Sequence, residues 1–291
     1  MQPRTEGLQR CRSFTLTVQP RVSVASYQDY LGNTIHHFDV PRPHTQLLLT
    51  AEGQVEVQPM PAWPEALPEA SWDALDGLMA DGMAWDCLQP SRFVQFTPRL
   101  DALADELAVA RMADPLTVLR TLTRRLYEAF AYEPMSTHVE SPIDEAIAAR
   151  RGVCQDFSHI MAALVRRLGI PCRYVSGYLF HREIDQDRSV EDASHAWVEA
   201  LLPGLGWVGF DPTNNLMVGE RHIRVAVGRD YDDVPPTRGV FKGQAEEAMS
   251  VGVRVTRDDA PALLEADLPP EPTWEPLPPG DREEAAWAQQ Q

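Results

Sequence analysis

Three residues and their settings limit what this chain can fold into more than anything else in it. A cysteine opens a helix, a histidine opens a strand, and an aspartate closes the next strand. Cys154 stands in Arg151-Gly152-Val153-Cys154-Gln155-Asp156-Phe157, His195 in Ser194-His195-Ala196-Trp197-Val198-Glu199, and Asp211 in Gly206-Trp207-Val208-Gly209-Phe210-Asp211-Pro212. Beyond Cys154, Phe157, Ile160, Met161, Leu164, Val165 and Leu168 recur at helical spacing, with Gly169 as the stop and Pro171 past it. From His195 the alternation of Ala196, Val198 and Ala200 against Trp197 and Glu199 reads as a strand. Pro203-Gly204 turns it, and Trp207 to Phe210 forms the return strand. An antiparallel pairing brings the start of one strand and the end of the next to the same edge of the sheet. The prediction is an α+β core in which a cysteine-bearing helix packs on an antiparallel sheet that carries the histidine and the aspartate.

That arrangement has chemical content. A thiol at a helix N-terminus meets unpaired backbone N–H groups and the positive end of the helix dipole, both of which favour thiolate. The Cys154 amide is placed to donate to an oxyanion. An imidazole next to the thiol can take and return its proton, and a carboxylate on the far ring nitrogen orients the imidazole. Cys154, His195 and Asp211 are therefore the candidate catalytic residues. A free cysteine by itself is ordinarily a small buried hydrophobe; the two later segments are what single this one out. Asp156, in the first helical turn, reads as a helix-start residue. His159 lies on another face of the same helix and reads as structural. His36, His37, His44, His138, His181 and His222 read as surface or satisfied core histidines. Asp230, Asp232 and Asp233 lack the spacing of a calcium loop and read as solvated charges.

Four stretches together resemble the transglutaminase-like superfamily in its bacterial branch, related to the papain-like cysteine proteases. They are Gly-Val-Cys-Gln-Asp-Phe-Ser-His from Gly152, Leu-Gly-Ile-Pro-Cys-Arg-Tyr-Val-Ser-Gly-Tyr from Leu168, His-Ala-Trp-Val-Glu from His195, and Gly-Trp-Val-Gly-Phe-Asp-Pro-Thr-Asn from Gly206. The resemblance spans about Ser141 to Asn215. It implies a papain-like core with Cys154 as nucleophile, His195 as general base and acid, and Asp211 as its orienter. It also implies a thioester formed from an amide or ester, whose acyl group passes to water or to an amine. A weaker likeness, in Asp29-Tyr30-Leu31-Gly32-Asn33 and Pro43-His44-Thr45-Gln46-Leu47, points to the β-rich region that precedes this core in bacterial members. It implies a further strand or two ahead of the stretch matching Arg10 to Gln19, so the expectation is either a small sheet that lacks an edge or a start site other than Met1. Animal members stabilise the oxyanion with a tryptophan upstream of the cysteine; none lies between Trp85 and Cys154 here, and Tyr132 is the substitute candidate.

The rest of the chain is organised around that core. Residues 1–58 read as a small antiparallel β domain, with Phe14, Leu16 and Val18 alternating against threonines. Residues 59–98 read as a proline-rich linker with a short helix, and 99–257 as the catalytic core. Helices are expected over Arg99 to Arg111, from Asp114-Pro115, and from Ser141-Pro142. Further strands are expected at Cys172 to Phe180, Ile223 to Val227 and Met249 to Thr256. The polar segment His181 to Asp192 is expected to border the cleft. Residues 258–291 carry nine acidic groups, one basic group and seven prolines. They are expected to form a disordered tail, although Trp274 and Trp287 are unusual in one.

The net charge of −17 speaks against nucleic acid as a partner. No apolar run is long enough for a bilayer, and the first residues lack the apolar centre of a signal peptide, so a cytoplasmic location is expected. Cys11, Cys87, Cys154 and Cys172 are widely spaced and signal neither a disulfide framework nor zinc. The expected activity is hydrolysis of a peptide or isopeptide bond in a peptide or protein substrate, with no metal, no calcium requirement and no other cofactor. The alternatives are amine acyl transfer from protein glutamine and a catalytically idle fold used for binding.

Overall fold

A computed structural model of the chain describes residues 2–60, 62–80, 82, 84–182, 184–185, 187–189, 193–243 and 251–258. The N-terminal region holds β1 (Gln9–Gln19), β2 (Ala25–Gln28), β3 (Thr34–His37) and β4 (Leu48–Val57). The predicted single sheet is in fact two: β1 pairs antiparallel with β4, and β2 with β3. The turn between β2 and β3 is held by Asp29, whose Oδ1 accepts the N–H groups of Leu31 and Asn33 at 2.9 and 2.8 Å. Gly32 takes the positive φ, 76°, that this turn requires.

The stretch read as linker carries α1 (Ser71–Ala80), whose Trp72 and Leu75 are buried in the main core, and α2 (Pro98–Glu106) and α3 (Pro115–Ala129) follow. Asp114 caps α3 as the sequence predicts, accepting from Thr117 N–H, and α2, which starts at Pro98, is capped by Thr97, which accepts from Leu100 N–H. The helix expected to reach Arg111 stops at Glu106, because the chain turns into a left-handed conformation at Ala108, φ 47°. Next come β5 (Ala131–Tyr132), α4 (Ile143–Ala149), β6 (Arg151–Gly152) and α5 (Cys154–Arg167). The remaining strands are β7 (Cys172–Leu179), β8 (His195–Leu202), β9 (Gly206–Asp211), β10 (Leu216–Met217) and β11 (His222–Gly228). They form one antiparallel sheet in the order β10-β9-β8-β7-β11.

The α5 helix is the centre of the molecule. Phe157, Ile160, Met161, Leu164 and Val165 are buried on it, against α3 and α4 on one side and Val198, Ala200, Val208 and Phe210 of the sheet on the other. A leucine side chain removed from water in this way stabilises by about 1.5–3 kcal/mol. Of the strand expected over Met249 to Thr256, residues 251–256 have no regular structure, and Met249 and Ser250 lie outside the described residues. The expected tail lies, from residue 259 onward, outside the described residues, and Trp274 and Trp287 with it. Among the described residues no helix is long and apolar enough to cross a membrane.

The N-terminal region attaches to the sheet at its edge strand, β11. Gln9 donates to Arg224 C=O and accepts from Arg224 N–H, both at 2.7 Å. Asn33 does the same for Val227, both at 2.8 Å. Two side-chain amides thus satisfy backbone groups that an edge strand would otherwise leave open. A buried ion cluster lies beside them. Glu199 on β8, fully buried, accepts from Arg173 Nε at 2.8 Å and Arg224 Nε at 2.7 Å, and Glu6 also pairs with Arg173.

Candidate active site

Cys154 is the first residue of α5 and is half-buried. Its position depends on the turn before it. The Asp156 carboxylate accepts the Val153 N–H at 2.8 Å and the Thr137 hydroxyl at 2.6 Å, closing the first turn of the helix. Gly152 allows that closure, because a Cβ there would lie 2.7 Å from Asp156 Oδ2. Asp156 is therefore a helix-start residue, as its place in the sequence suggests. Burial pushes its carboxyl up, against the two hydrogen bonds.

His195 and Asp211 lie where the hairpin predicts. His195 opens β8, Asp211 closes β9, and His195 Nε2 is 2.7 Å from Asp211 Oδ2. Both are buried, at 3% and 0% exposure. His195 Nδ1, also buried, has no partner in ordinary hydrogen-bond geometry. The Cys154 thiol acts on the same ring. Burial alone makes His195 harder to protonate. The Asp211 charge and hydrogen bond, followed by the hydrogen bond and charge of Cys154, outweigh that and raise it to about 10.

Asp211 is unusually well supplied with donors. Oδ1 accepts the N–H groups of Thr213 and Asn214 at 3.0 and 3.2 Å. Oδ2 accepts His195, then Asn214 Nδ2 at 2.9 Å, and lies 3.3 Å from His222 Nε2. Burial would raise its proton affinity, but the His195 charge and these hydrogen bonds hold the carboxyl far below the usual carboxylate range. Asn214 and His222 are the members of this cluster that reading the sequence missed. Asn214 had a local signal, standing three residues past Asp211 in a turn. His222 had none, because it arrives on β11 from a different part of the chain.

Asn214 also links the cluster to the segment expected to border the cleft. Its Oδ1 accepts the N–H groups of Arg188 and Ser189 at 2.7 and 3.1 Å. The Arg188 side chain reaches the carbonyls of Tyr127 and Phe130 at the end of α3. Tyr132 pairs through β5 with Gly152, two residues before Cys154, so the strand pairing brings it beside the helix start. His159 is buried between Phe93 and Tyr174, with ring centroids at 5.4 and 5.0 Å, and accepts the Tyr231 N–H. Burial, aided by the Arg166 charge, lowers it to about 3, so it is a neutral core residue. The expectation of solvated charges at 230–233 is corrected. Asp230 is buried and accepts the Phe93 and Asp232 N–H groups, while Asp233 pairs with Arg229 and Asp232 with Arg92.

His195, Asp211 and His222 form the one group among the described residues whose ligand atoms, all within 4.8 Å, are close enough to share a metal ion. The hydrogen-bond pattern fits another use. The Gly219 N–H points to His222 Nδ1 at 3.3 Å, which leaves the proton of a neutral ring on Nε2, the atom a metal would need bare.

Comparison with known proteins gives the same picture. Residues 101–212 match the transglutaminase-like superfamily, and residues 1–56 match the bacterial transglutaminase-like N-terminal region. An uncharacterized protein of Mycobacterium leprae is 34% identical over 232 residues, covering 79% of this chain and 81% of that one. One from Mycobacterium tuberculosis is 34% identical over 285 residues, covering 90% and 86%. The protein-glutamine gamma-glutamyltransferase of Pseudomonas aeruginosa is 33% identical over 165 residues, covering 52% of this chain and 22% of that one. Among solved structures, a Cytophaga hutchinsonii protein proposed to be a cysteine protease has a TM-score of 0.61 at 24% identity, over 81% of this chain and 76% of that one, a likeness of fold. From its motifs, its sheet and these relatives, the chain belongs to the transglutaminase-like superfamily and carries that superfamily's bacterial N-terminal region ahead of the core.

Proposed function

We propose that this protein is a thiol-dependent hydrolase acting on a peptide or isopeptide bond through Cys154, His195 and Asp211. One observation carries the reading: Asp211 holds His195 by Nε2, which leaves Nδ1 for the thiol at the start of α5. In the first half-reaction the Cys154 sulfur attacks the amide carbonyl as thiolate, with its proton on His195. The Cys154 backbone N–H, at the helix start, faces the developing oxyanion. The C–N bond then breaks as His195 gives its proton to the departing amine, leaving a thioester. In the second half-reaction His195 takes a proton from water, the hydroxide adds to the thioester, and the C–S bond breaks to restore the thiol.

Amine acyl transfer uses the same first half and differs only in the acceptor; the partial likeness to a protein-glutamine gamma-glutamyltransferase keeps it as the second reading. What favours water is the segment beside the cluster, which is polar and ion-paired: Arg182 with Asp185, and Asp187 with Arg221. An acceptor site for a lysine side chain calls for an apolar, water-shielded channel instead. The test supplies a reactive acyl ester and a labelled primary amine in the presence of chelator. Hydrolysed acid is the expected product. Predominant amide product at millimolar amine reassigns the chain to acyl transfer. Failure of the ester to acylate Cys154 at all removes the enzymatic reading and leaves a binding fold.

A further inference from the structure

We propose that His222 is a positioning residue for this reaction: as a neutral imidazole it donates its Nε2 proton to Asp211 Oδ2 and so fixes the carboxylate on which His195 depends. The inference rests on the function proposed above. Both histidines converge on one oxygen, His195 Nε2 at 2.7 Å and His222 Nε2 at 3.3 Å. The tautomer of His222 is set from behind by the Gly219 N–H at Nδ1. The ring is held edge-on to Trp197, with centroids 5.2 Å apart and planes at 76°, and Trp197 is itself fully buried. His222 is thus held by the Gly219 N–H and the Trp197 ring, and its remaining polar atom faces Asp211. The charged or titratable groups that act on it are Asp211, His195 and Arg221.

A donor on this oxygen has two consequences. It holds Oδ2 in place without adding charge, so the imidazolium form of His195 is not opposed by a second cation. It also draws off part of the carboxylate's charge, which limits how tightly His195 keeps a proton that it must later give to the leaving amine.

Two variants separate this role from simple packing. His222→Phe keeps the ring and its contact with Trp197 but has no N–H. His222→Gln loses the ring but can place an N–H near the original Nε2. The first readout is the pH profile of Cys154 alkylation by iodoacetamide, which needs no substrate. In His222→Phe the inflection that marks loss of the His195 proton is expected to move up by about half a pH unit or more. In His222→Gln it is expected to return to the wild-type position. Turnover of the acyl ester is expected to fall about tenfold in kcat with KM little changed for Phe, and to recover for Gln. The second readout is 15N NMR of the histidine rings in the intact wild-type chain, expected to show His222 neutral with its proton on Nε2. A proton on Nδ1, or identical profiles for Phe and wild type, overturns the role of His222 and leaves the proposed function standing. A wild-type Cys154 that alkylates no faster than a model thiol overturns both.

Discussion

At the residue scale, environment separates the four cysteines. Cys172 is fully buried and its thiol is pushed up to about 12, Cys87 is buried and raised, and Cys11 is raised by partial burial. Cys154 alone combines a helix start with an adjacent imidazole. Brief iodoacetamide treatment at neutral pH, mapped by mass spectrometry, is expected to label Cys154 well ahead of the others. Asp211 permits a sharper test. Its five donors leave no place for an amide NH2, which would face either the two backbone N–H groups or the three side-chain donors. Asp211→Asn is therefore expected to be no milder than Asp211→Ala, with a loss of kcat on the order of the ~10⁴-fold seen when a serine triad loses its carboxylate. Near-normal kcat in the Asn variant sinks Asp211 as the orienter. His159 makes a prediction about stability. It stays neutral in the fold down to about pH 3 but titrates near its ordinary value when unfolded. The unfolded chain therefore binds the extra proton first, and stability falls as pH drops below ~6.5, by about 2 kcal/mol at pH 5. Urea midpoints measured from pH 7 to pH 5 should show this slope reduced in His159→Phe.

At the scale of elements, the start of α5 is the place where one substitution reaches furthest. Gly152→Ala puts a methyl group 2.7 Å from Asp156 Oδ2, so the cap on Val153 N–H must shift. The expected cost is about 1–3 kcal/mol of stability, together with a lower alkylation rate at Cys154 because the thiol moves with its helix turn. A variant with unchanged melting temperature and alkylation rate contradicts that coupling. Most elements were legible in the sequence for plain reasons. The α5 helix has an apolar stripe with a glycine stop, and β8 and β9 have alternation and a Pro-Gly turn. What misled was pattern without context. The alternation over Met249 to Thr256 looks like a strand, yet residues 251–256 form none. The helix from Pro98 ends early because Ala108 turns left-handed, and nothing in its composition marks that.

At the scale of the molecule, the N-terminal region is held on β11 by amide side chains as well as by the Glu6 ion pairs. Asn33→Ala strips partners from both backbone groups of Val227, in a setting where Asn33 is 2% exposed. Leaving buried groups unsatisfied costs about 1–3 kcal/mol each. A clear fall in the denaturant midpoint is therefore expected, and the loss should reach the site, since β11 also carries His222. A midpoint unchanged within error removes Asn33 as a structural link. The charge cluster of Glu199, Arg173, Arg224 and Glu6 lies at the same junction, so this edge serves both to attach the N-terminal region and to shape the site.

The sequence alone determined the helix that opens with Cys154, the hairpin and the bond it makes between His195 and Asp211. Each of these rests on local patterns, a period of 3.6 or 2 and a turn between neighbours, which a short stretch of chain carries by itself. Tertiary structure decided the rest. His222 meets Asp211 because β11 pairs with β7, two strands across the sheet from β9. Asp230, which looks like a loop charge, is buried because Phe93, far away in the chain, donates to it. Contacts of that kind depend on which strands become neighbours and which backbone groups need partners. That is settled only when the whole sheet closes on α5.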